Sequence, residues 1–523
     1  MRTHVHHLVE ESASIRGTRS AVTYKGVTLD YSALWSEIRH LASGYAQIGL
    51  VRGDRVAVLL DKRLETVTAL LAASVAEAVF VPVNPVFKPA QVNHVLADSG
   101  ARLLVTSSSR WSQLAPTLDG SSGLDAVLLV DELLPDRGTA IALHAMSESV
   151  QWPAPPSTPT ARGVDSDIAA ILYTSGSTGK PKGVVLSHRN LLVGAESVSS
   201  YLGNGPDDVI LAALPLSFDA GLSQLTTAFA VGAHVVLMNY LRPADVVRLC
   251  AQHKVTGLTC VPPLWIQLAD CSWPDEATSS MRYFANTGGR MPLATLDRLR
   301  QAFPDAQPYL MYGLTEAFRS TYLDPSEVDR RPDSMGKAIP NAEVLVVRPD
   351  GTRCQPGEEG ELVHRGPLVA LGYWNDAART AERFRPLPGG SGDWAPPELV
   401  VWSGDTVVAD EEGFLYFVGR ADEMIKTSGY RVSPSEIEEV IYATGLVRDA
   451  VAVGVPDQRL GQKVVVVVTP PRGSSLQPDD LLQALRRELP LFMVPSDIAV
   501  REELPYSPNG KFDRVLIRQE VSE

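Results

Sequence analysis

Residues 168–190 read "IAAILYTSGSTGKPKGVVLSHRN", an apolar run followed by a loop of glycine, hydroxyl and lysine residues. The apolar run predicts a buried strand, and the residues from about Leu186 onward are compatible with a helix. Between a strand and a helix, such a loop can cradle a phosphate through backbone N–H groups, hydroxyls and lysine charge. It is not a Walker A loop, because the spacing GxxxxGK[ST] is absent. Taken alone, the segment fits a phosphate loop and a mobile surface loop equally well.

Strand-like and helical segments alternate on both sides of this stretch, starting with a helical pattern at Tyr31. Alternation of this kind predicts an α/β fold in which helices cover parallel sheets. The apolar runs that predict the strands are "DRVAVLL", "VFVPVNP" and "RLLVTSS" before the loop, and "VILAALPL", "HVVLM", "GLTCVPP" and "YFANTGG" after it.

The chain has 523 residues, which exceeds the roughly 250–300 residues that one hydrophobic core supports. After about residue 330, short strands with Asp-Gly and Glu-Gly turns predict a small β subdomain. Beyond residue 420 the pattern is that of a compact α+β domain. We predict a large N-terminal domain over residues 1–420, with the β subdomain at about 330–420, and a small, mobile C-terminal domain over residues 421–523.

Composition excludes several classes of protein. Lys and Arg number 47 against 61 Asp and Glu, a net charge of −14, whereas a nucleic-acid surface calls for basic clustering. No apolar run reaches the length of a membrane helix, no secretory signal is evident, and the four cysteines form no CxxC pair. We expect a cytoplasmic protein without nucleic-acid or membrane partners. His4, His6 and His7 are consistent with metal binding, but a solvated N-terminus is the favoured interpretation.

Four further motifs follow the loop in order: "YGLTEA" (312–317), "WSGDTV" (402–407), "GRADEMIKTSGYRVSPSEIE" (419–438) and "PNGKFDR" (508–514). With the loop, they resemble the adenylate-forming superfamily of acyl-CoA synthetases, nonribosomal adenylation domains and luciferases, over almost the full length. More narrowly, "GLTEAFRSTYL" and "RPDSMGKAIPNAE" resemble bacterial AMP-forming acyl-CoA ligases of the exosortase-associated type. The resemblance implies that ATP and Mg²⁺ activate a carboxylic acid as an acyl adenylate, which then forms a thioester on CoA or on a phosphopantetheine arm.

The resemblance also implies site residues. Thr315 and Glu316 match the pair that contacts the α-phosphate and Mg²⁺, and Lys511 matches the catalytic lysine between the substrate carboxylate and the α-phosphate. Considered alone, Lys511 could lie in an exposed turn and Asp405 in a bend. The implied nucleotide-binding residues are Thr174, Ser175, Gly176, Ser177, Thr178, Gly179, Lys182, Gly288, Gly289, Tyr312, Gly313, Asp405 and Arg420.

The resemblance further implies that the C-terminal domain rotates between two half-reactions. Asp422 matches the hinge, while Lys426 and Gly429 lie on the face that the thiol arm passes. Rotation exchanges this face for the one that carries Lys511.

The segment "LPLSFDAGLSQL" (214–225) resembles the "FDAS" motif of amino-acid adenylation domains. Phe218, Asp219 and Ser223 are the predicted substrate-binding residues, with Asp219 pairing with an α-ammonium. An N-cap for a helix from Gly221 is an equally good interpretation of Asp219. No carrier-protein domain is recognised in the sequence, so the thiol is expected from CoA or from a separate carrier protein. The alternatives are an acyl-CoA synthetase for fatty or aryl acids, a luciferase-like oxygenase, and a non-catalytic nucleotide sensor.

Overall fold

The computed structural model describes residues 2–118, 123–132, 141–146, 163–174, 181–390, 394, 396–420, 423–427, 430–457, 460–489, 491, 493–508 and 510–522. Within these ranges the α-helices are α1 (His7–Arg16), α2 (Tyr31–Gln47), α3 (Leu64–Val75), α4 (Pro89–Ser99), α5 (Ser108–Leu114), α6 (His188–Tyr201), α7 (Asp219–Val231), α8 (Pro243–His253), α9 (Pro262–Ala269), α10 (Asp275–Thr278), α11 (Leu293–Ala302), α12 (Ala377–Arg383), α13 (Pro434–Ala443), α14 (Pro478–Glu488) and α15 (Arg514–Glu520).

The strands in the first half of the chain are β1 (Ser20–Tyr24), β2 (Val27–Asp30), β3 (Arg55–Leu59), β4 (Val79–Pro82), β5 (Ala101–Thr106), β6 (Ala126–Leu129), β7 (Ala142–Ala145), β8 (Ile168–Thr174), β9 (Lys182–Ser187), β10 (Val209–Ala212), β11 (His234–Leu237) and β12 (Gly257–Cys260). Those in the second half are β13 (Tyr283–Asn286), β14 (Gln307–Tyr312), β15 (Thr321–Leu323), β16 (Lys337–Ala338), β17 (Glu343–Val347), β18 (Glu359–Arg365), β19 (Gly372–Tyr373), β20 (Phe384–Pro386), β21 (Leu399–Ala409), β22 (Leu415–Arg420), β23 (Ile425–Thr427), β24 (Tyr430–Val432), β25 (Asp449–Asp457), β26 (Gly461–Thr469) and β27 (Asp497–Val500).

Two large sheets form the N-terminal part, and the predicted α/β architecture is confirmed. One has the order β16-β15-β14-β13-β12-β10-β11-β1-β2, and the other the order β19-β9-β8-β4-β3-β5-β6-β7. The central pairs are parallel, and antiparallel pairs occur toward the ends, for example β14 with β15 and β8 with β9. Apolar side chains of both sheets and of α2, α3, α6 and α7 share one buried core.

The region after the predicted phosphate loop differs from the expected strand–loop–helix. Residues 182–187 form strand β9, antiparallel to β8, and α6 begins only at His188, capped by the Ser187 side chain. The apolar run "GVVL" is compatible with either a helix or a strand, and its pairing with β8 and β19 decides for the strand. Gly183 permits this pairing, because a Cβ there would lie 2.6 Å from Ile171 Cγ2.

Two smaller sheets complete the fold. Strands β17, β18, β21 and β20, with β22 beside β21, form an antiparallel sheet between residues 343 and 420. Strands β24, β23, β26 and β25, with β27 beside β26, form the sheet of the C-terminal region. The run "KVVVVV" belongs to β26, which pairs with β23, β25 and β27 as a buried central strand. Across the described ranges, none of the helices has the length and apolar character needed to cross a bilayer.

The interpretation of the N-terminal histidines as a solvated terminus is wrong. His4 and His6 are buried, and His7 is half-buried. The His4 ring lies 4.5 Å from the ring of His188, at the start of α6, and His6 stacks on Trp35 of α2 with 6.0 Å between ring centroids. The segment before α1 therefore packs against α2 and the start of α6 through imidazole rings, and burial lowers their pKa values.

The same histidines do not make a convincing metal site. His6, His7 and Glu10 each bring one ligand atom within 4.8 Å of the others. However, His7 Nδ1 accepts hydrogen bonds from the backbone N–H groups of Thr3 and His4, so the ring proton belongs on Nε2, the atom that faces Glu10. A protonated nitrogen cannot ligate a metal, and we assign none here.

We expect the free energy of unfolding to fall as the pH is lowered from about 7.5 to about 5.5. Burial lowers the pKa of His6 well below its ordinary value and that of His188 to about 3, and neighbouring histidines lower both further. Because the unfolded chain takes up protons below about pH 6.5 and the folded state does not, each of these two histidines should contribute a loss of about 1.4 kcal/mol. Urea titrations at the two pH values measure the loss. His188→Asn should reduce it, and His40→Asn, outside the cluster, should not; an equal loss in both variants would contradict the assignment.

Candidate active site

Thr174 and Lys182 face each other at the loop end of the β8–β9 hairpin. The predicted phosphate-binding residues between them, namely Ser175, Gly176, Ser177, Thr178 and Gly179, lie outside the described residues. The Thr174 hydroxyl is buried and has no hydrogen-bond partner among the described residues. A buried donor without a partner is available to a ligand, which fits the predicted phosphate contact.

Lys182 takes part in a three-membered cluster with Glu316 and Tyr373. The Lys182 ammonium donates to Glu316 Oε1 at 3.0 Å and to the Tyr373 hydroxyl at 2.9 Å, and that hydroxyl donates to Glu316 Oε1 at 2.6 Å. Burial alone would raise the pKa of Glu316, but Lys182 and these hydrogen bonds outweigh it and hold the pKa below its usual value. Glu316 is therefore an ionised, buried carboxylate. Thr315, beside it in a short 3₁₀ turn, is also buried.

Tyr373 was not predicted as a site residue. It belongs to the short strand β19, and only the pairing of β19 with β9 brings it to Lys182. A tyrosine in the segment "LGYWN" carries no signal for that pairing.

A second polar cluster surrounds Asp405. The Tyr312 hydroxyl donates a short hydrogen bond to Asp405 Oδ2, and Arg420 lies 3.1 Å from Asp405 Oδ1. The interpretation of Asp405 as a bend residue is wrong, since it lies inside the long strand β21, opposite Arg420 of β22. This cross-strand pair places a buried carboxylate beside Tyr312, so three of the predicted nucleotide-binding residues lie together.

His364 is a further buried residue here that sequence reasoning missed. It stacks on Tyr312 with 6.0 Å between ring centroids, and neither of its ring nitrogens has a hydrogen-bond partner among the described residues. Burial lowers its pKa to about 3, so the ring is neutral.

The interpretation of Lys511 as a residue of an exposed turn is wrong. Its carbonyl accepts a hydrogen bond from the Ser507 N–H at 2.7 Å, and Asn84 Nδ2 donates to the carbonyl of Pro508 at 2.9 Å. The turn is thereby anchored to the N-terminal domain. The Lys511 ammonium lies 5.8 Å from the centroid of the Phe218 ring and is half-buried.

Three of the predicted glycines have close neighbours, and one of them, Gly288, lies against this lysine. Gly288 has φ +77°, and a Cβ there would lie 2.9 Å from Lys511 Cε and 3.2 Å from Val261 Cγ1. At Gly289 a Cβ would lie 3.2 Å from Pro262 Cγ, and at Gly313 it would lie 3.0 Å from Arg319 Cα. Lys511 therefore occupies space that is available only because residue 288 has no side chain.

We expect Gly288→Ala to reduce the rate of adenylate formation by about tenfold to a hundredfold, because a displaced catalytic group loses its alignment. Pyrophosphate exchange measures this rate. The matched control is Gly351→Ala, at a turn with φ +86° and no atom within 4 Å of its Cβ. In the control, the new Cβ strains the backbone in the same way but meets no neighbouring atom. Equal losses in both variants would therefore show that the effect of Gly288→Ala does not come from contact with Lys511.

Asp219 is the first residue of α7, so the helix begins two residues before the predicted Gly221. Phe218 occupies the cap position without a capping side chain, and the N-cap interpretation of Asp219 is therefore wrong. The Asp219 side chain is 4% exposed, and its Oδ1 has no partner among the described residues. Burial raises its pKa, although Arg319 and Lys511 act in the opposite direction. Ser223 lies one turn later and lines a cavity beside α7.

The predicted hinge and thiol-tunnel residues remain predictions. Asp422 and Gly429 lie outside the described residues, and Lys426 belongs to β23, where only its backbone is described.

Comparison with known proteins agrees with this geometry. The profile of the AMP-binding enzyme family matches residues 9–374, and that of the AMP-binding enzyme C-terminal domain matches residues 436–511. A long-chain-fatty-acid–CoA ligase of Escherichia coli O157:H7 is 30% identical, over 98% of this chain and 94% of the relative. A feruloyl-CoA synthase of an Amycolatopsis species is 32% identical, over 96% of this chain and 95% of the relative.

A solved structure also matches over the whole length. ATP-bound MatB from Rhodopseudomonas palustris superposes with a TM-score of 0.86 at 25% identity, covering 99% of each chain. Both this structure and the Escherichia coli ligase match the chain over nearly its whole length. The agreement therefore extends over both domains. The chain belongs to the AMP-binding enzyme family, and it is an AMP-forming ligase of that family.

Proposed function

We propose that this protein joins a carboxylic acid to a thiol at the expense of ATP in two steps. In the first, a carboxylate oxygen attacks the α-phosphorus and pyrophosphate leaves, giving an acyl adenylate. In the second, a phosphopantetheine thiol loses its proton and attacks the acyl carbon, and AMP leaves. The acid carries an amino group that pairs with Asp219.

One observation carries the proposal. A lysine of the C-terminal domain, Lys511, lies against Gly288 of the N-terminal domain, and Asp219 interacts electrostatically with Lys511 and with Glu316. Groups from both domains thus lie close together, which supports a shared site for adenylate formation. Lys511 stabilises the charge that develops on the phosphorus oxygens, and charge stabilisation of this kind is the main protein contribution to phosphoryl and nucleotidyl transfer.

The other groups orient the nucleotide. Thr174 and Lys182, with the loop between them, hold the β- and γ-phosphates. Asp405 accepts hydrogen bonds from the ribose, supported by Arg420, and Tyr312 borders the adenine. Each of these side chains is buried or half-buried, so its contacts are made in a water-poor cleft, where they are stronger than in bulk solvent.

Glu316 fits the binding of Mg²⁺, because it is an ionised carboxylate and Mg²⁺ prefers oxygen ligands. When bound, the ion neutralises charge on the phosphate oxygens. In the present arrangement Lys182 and Tyr373 contact Glu316 Oε1. With an ion held by Glu316, Lys182 would be available to contact the phosphates.

The thiol acceptor is CoA or a separate carrier protein. Rotation about Asp422 withdraws Lys511 and admits the arm past Lys426 and Gly429. The four cysteines are free, which supports the cytoplasm as the compartment. The narrower resemblance to bacterial AMP-forming acyl-CoA ligases of the exosortase-associated type is part of this proposal.

A second candidate is an acyl-CoA synthetase for fatty or aryl acids without an amino group. The names of the two sequence relatives favour it. Asp219 favours the amino acid, because a buried carboxylate without a partner is destabilising until a cation binds beside it.

A pyrophosphate-exchange screen over amino acids, fatty acids and aryl acids tests the proposal. We expect exchange with amino acids, formation of AMP rather than ADP, and a thioester with added CoA or with a holo carrier protein, detected by mass spectrometry. Exchange confined to fatty or aryl acids would favour the second candidate. Absence of exchange with every acid would refute both, and oxygen consumption dependent on the adenylate would indicate a luciferase-like oxygenase.

A further inference from the structure

We infer that Arg319 determines the specificity of this site, and that the acid it accepts is short and carries a hydrogen-bond acceptor, a carboxylate or carboxamide, at its far end. The inference rests on the proposed function, because it concerns the acid that the same site activates. Its starting point is an internal cavity beside α7 that the nucleotide-binding groups do not use.

The cavity is small, and its wall combines polar side chains with apolar ones. Its volume is only about 20 Å³, which is room for about one water molecule or one small polar group. Its polar lining residues are Ser223, Gln224, Thr227, Thr259 and Arg319. A long acyl chain does not fit in so small a space, and it cannot replace the hydrogen bonds of water displaced from the polar groups. The small volume and the polar members of the wall therefore favour a short, polar substrate over a fatty acid.

Arg319 is the charged member of this wall, and its hydrogen bonding is incomplete. Its side chain is 3% exposed, and its Nη1 donates a short hydrogen bond to the Thr287 hydroxyl. Its Nε has no hydrogen-bond partner among the described residues. A guanidinium removed from water is destabilising unless its donors are used. An acceptor on the substrate would complete the set.

The backbone before Arg319 is held in an unusual conformation. Phe318 has φ +53°, which is uncommon for a residue with a large side chain. Its ring is fully buried and lies where Gly194 of α6 has no side chain, since a Cβ at Gly194 would be 2.4 Å from Phe318 Cδ1. Residues in such conformations cluster at functional sites, where surrounding packing maintains them. Here the packing of Phe318 directs the next side chain, Arg319, to the cavity.

Asp219 supplies the complementary observation. It precedes the cavity-lining residues of α7, and its Oδ1 also lacks a partner. Among the hydrogen bonds of the described residues, none joins Asp219 to Arg319, although the two charges interact through space. One ligand can satisfy both groups if it has an ammonium for Asp219 and an acceptor for Arg319. An α-amino acid with a short carboxylate or carboxamide side chain has this combination.

Isosteric acids provide the test. Aspartate, asparagine and leucine share a branched side chain of similar size, and succinate and 4-methylpentanoate are the corresponding acids without the amino group. For the wild-type protein we expect the kcat/KM of pyrophosphate exchange to favour aspartate or asparagine over leucine by about 10²-fold or more, as for sites built to hydrogen-bond a polar substrate. Glutamate and glutamine, against 2-amino-5-methylhexanoate, extend the series by one methylene group.

Arg319→Met should abolish the preference by lowering kcat/KM for the acceptor-bearing acids while leaving that for leucine unchanged or higher. Arg319→Lys keeps the charge but not the planar donors and should retain part of the preference. It serves as the second variant if Arg319→Met does not fold. The matched control is Arg298→Met, because Arg298 pairs with Asp270 on the surface. This variant should prefer the acceptor-bearing acids over leucine as strongly as the wild type does.

The outcomes separate the inference from the proposed function. Exchange with leucine as efficient as with the acceptor-bearing acids, or a preference that survives in the Arg319 variants, overturns the inference and leaves the ligase proposal intact. Exchange with none of the acids tested here or in the wider screen overturns both. A wild-type preference that only the Arg319 variants lose supports the inference.

Discussion

Lys511→Ala is expected to reduce adenylate formation by about 10³-fold or more, the range seen when a charge that stabilises a transferring phosphorus is removed. Lys511 is the positive group of the C-terminal domain that lies against Gly288 and interacts with Asp219 and Asp405. Thioester formation from a pre-made acyl adenylate should be largely unaffected, because the proposed rotation removes Lys511 from the site before the thiol enters. The two half-reactions can be measured separately, by pyrophosphate exchange and by thioester formation.

Arg518→Ala is the control, since it removes an exposed cation from the same domain, on α15. Neither half-reaction should change in that variant. If Lys511→Ala impaired both half-reactions equally, Lys511 would act on the stability or docking of the domain, and its assignment to adenylation would be wrong.

Asp219→Asn is expected to lower the efficiency with amino acids by about 10²–10³-fold, because the substrate ammonium would be buried without its counter-charge. The corresponding des-amino acids should be activated as well as by the wild type. Aspartate and asparagine have side chains of similar shape. An effect of the substitution on packing would therefore lower activity with amino acids and with des-amino acids alike. Measuring kcat/KM for one amino acid and its des-amino analogue, in both proteins, distinguishes the two cases.

Stability gives an independent readout for the same variant. Burial raises the pKa of Asp219, so its ionised form is less favourable in the folded state than in the unfolded chain. Asparagine should therefore leave the melting temperature equal or higher, in contrast to the loss of activity. Asp270→Asn, which removes an exposed carboxylate, should change neither the melting temperature nor the activity. A small, uniform loss of activity with both substrates would favour the second candidate, an acyl-CoA synthetase for acids without an amino group.

The regular part of the fold follows from local patterns. The alternation of apolar strands and amphipathic helices predicts the covered parallel sheets, and it does so because each element must bury one face against the next layer. The central position of β26 follows for the same reason, since a run of five valines can be buried only between neighbouring strands. Local sequence patterns could not assign secondary structure where an apolar segment was compatible with both a helix and a strand. Residues 182–187 are an example, because their pairing with β8 and β19 made them a strand.

The chemistry divides in the same way. The ordered motifs identify an adenylate-forming ligase and the residues expected to contact ATP, since such contacts come from short segments with their own backbone geometry. The immediate surroundings of those residues come from elsewhere in the chain. Tyr373 meets Lys182 through a strand pairing, Asp405 lies in a strand opposite Arg420, and Asp219 and Arg319 lie about 100 residues apart in sequence yet interact at one cavity. No local pattern encodes these contacts, because packing brings the partners together only after the sheets have formed.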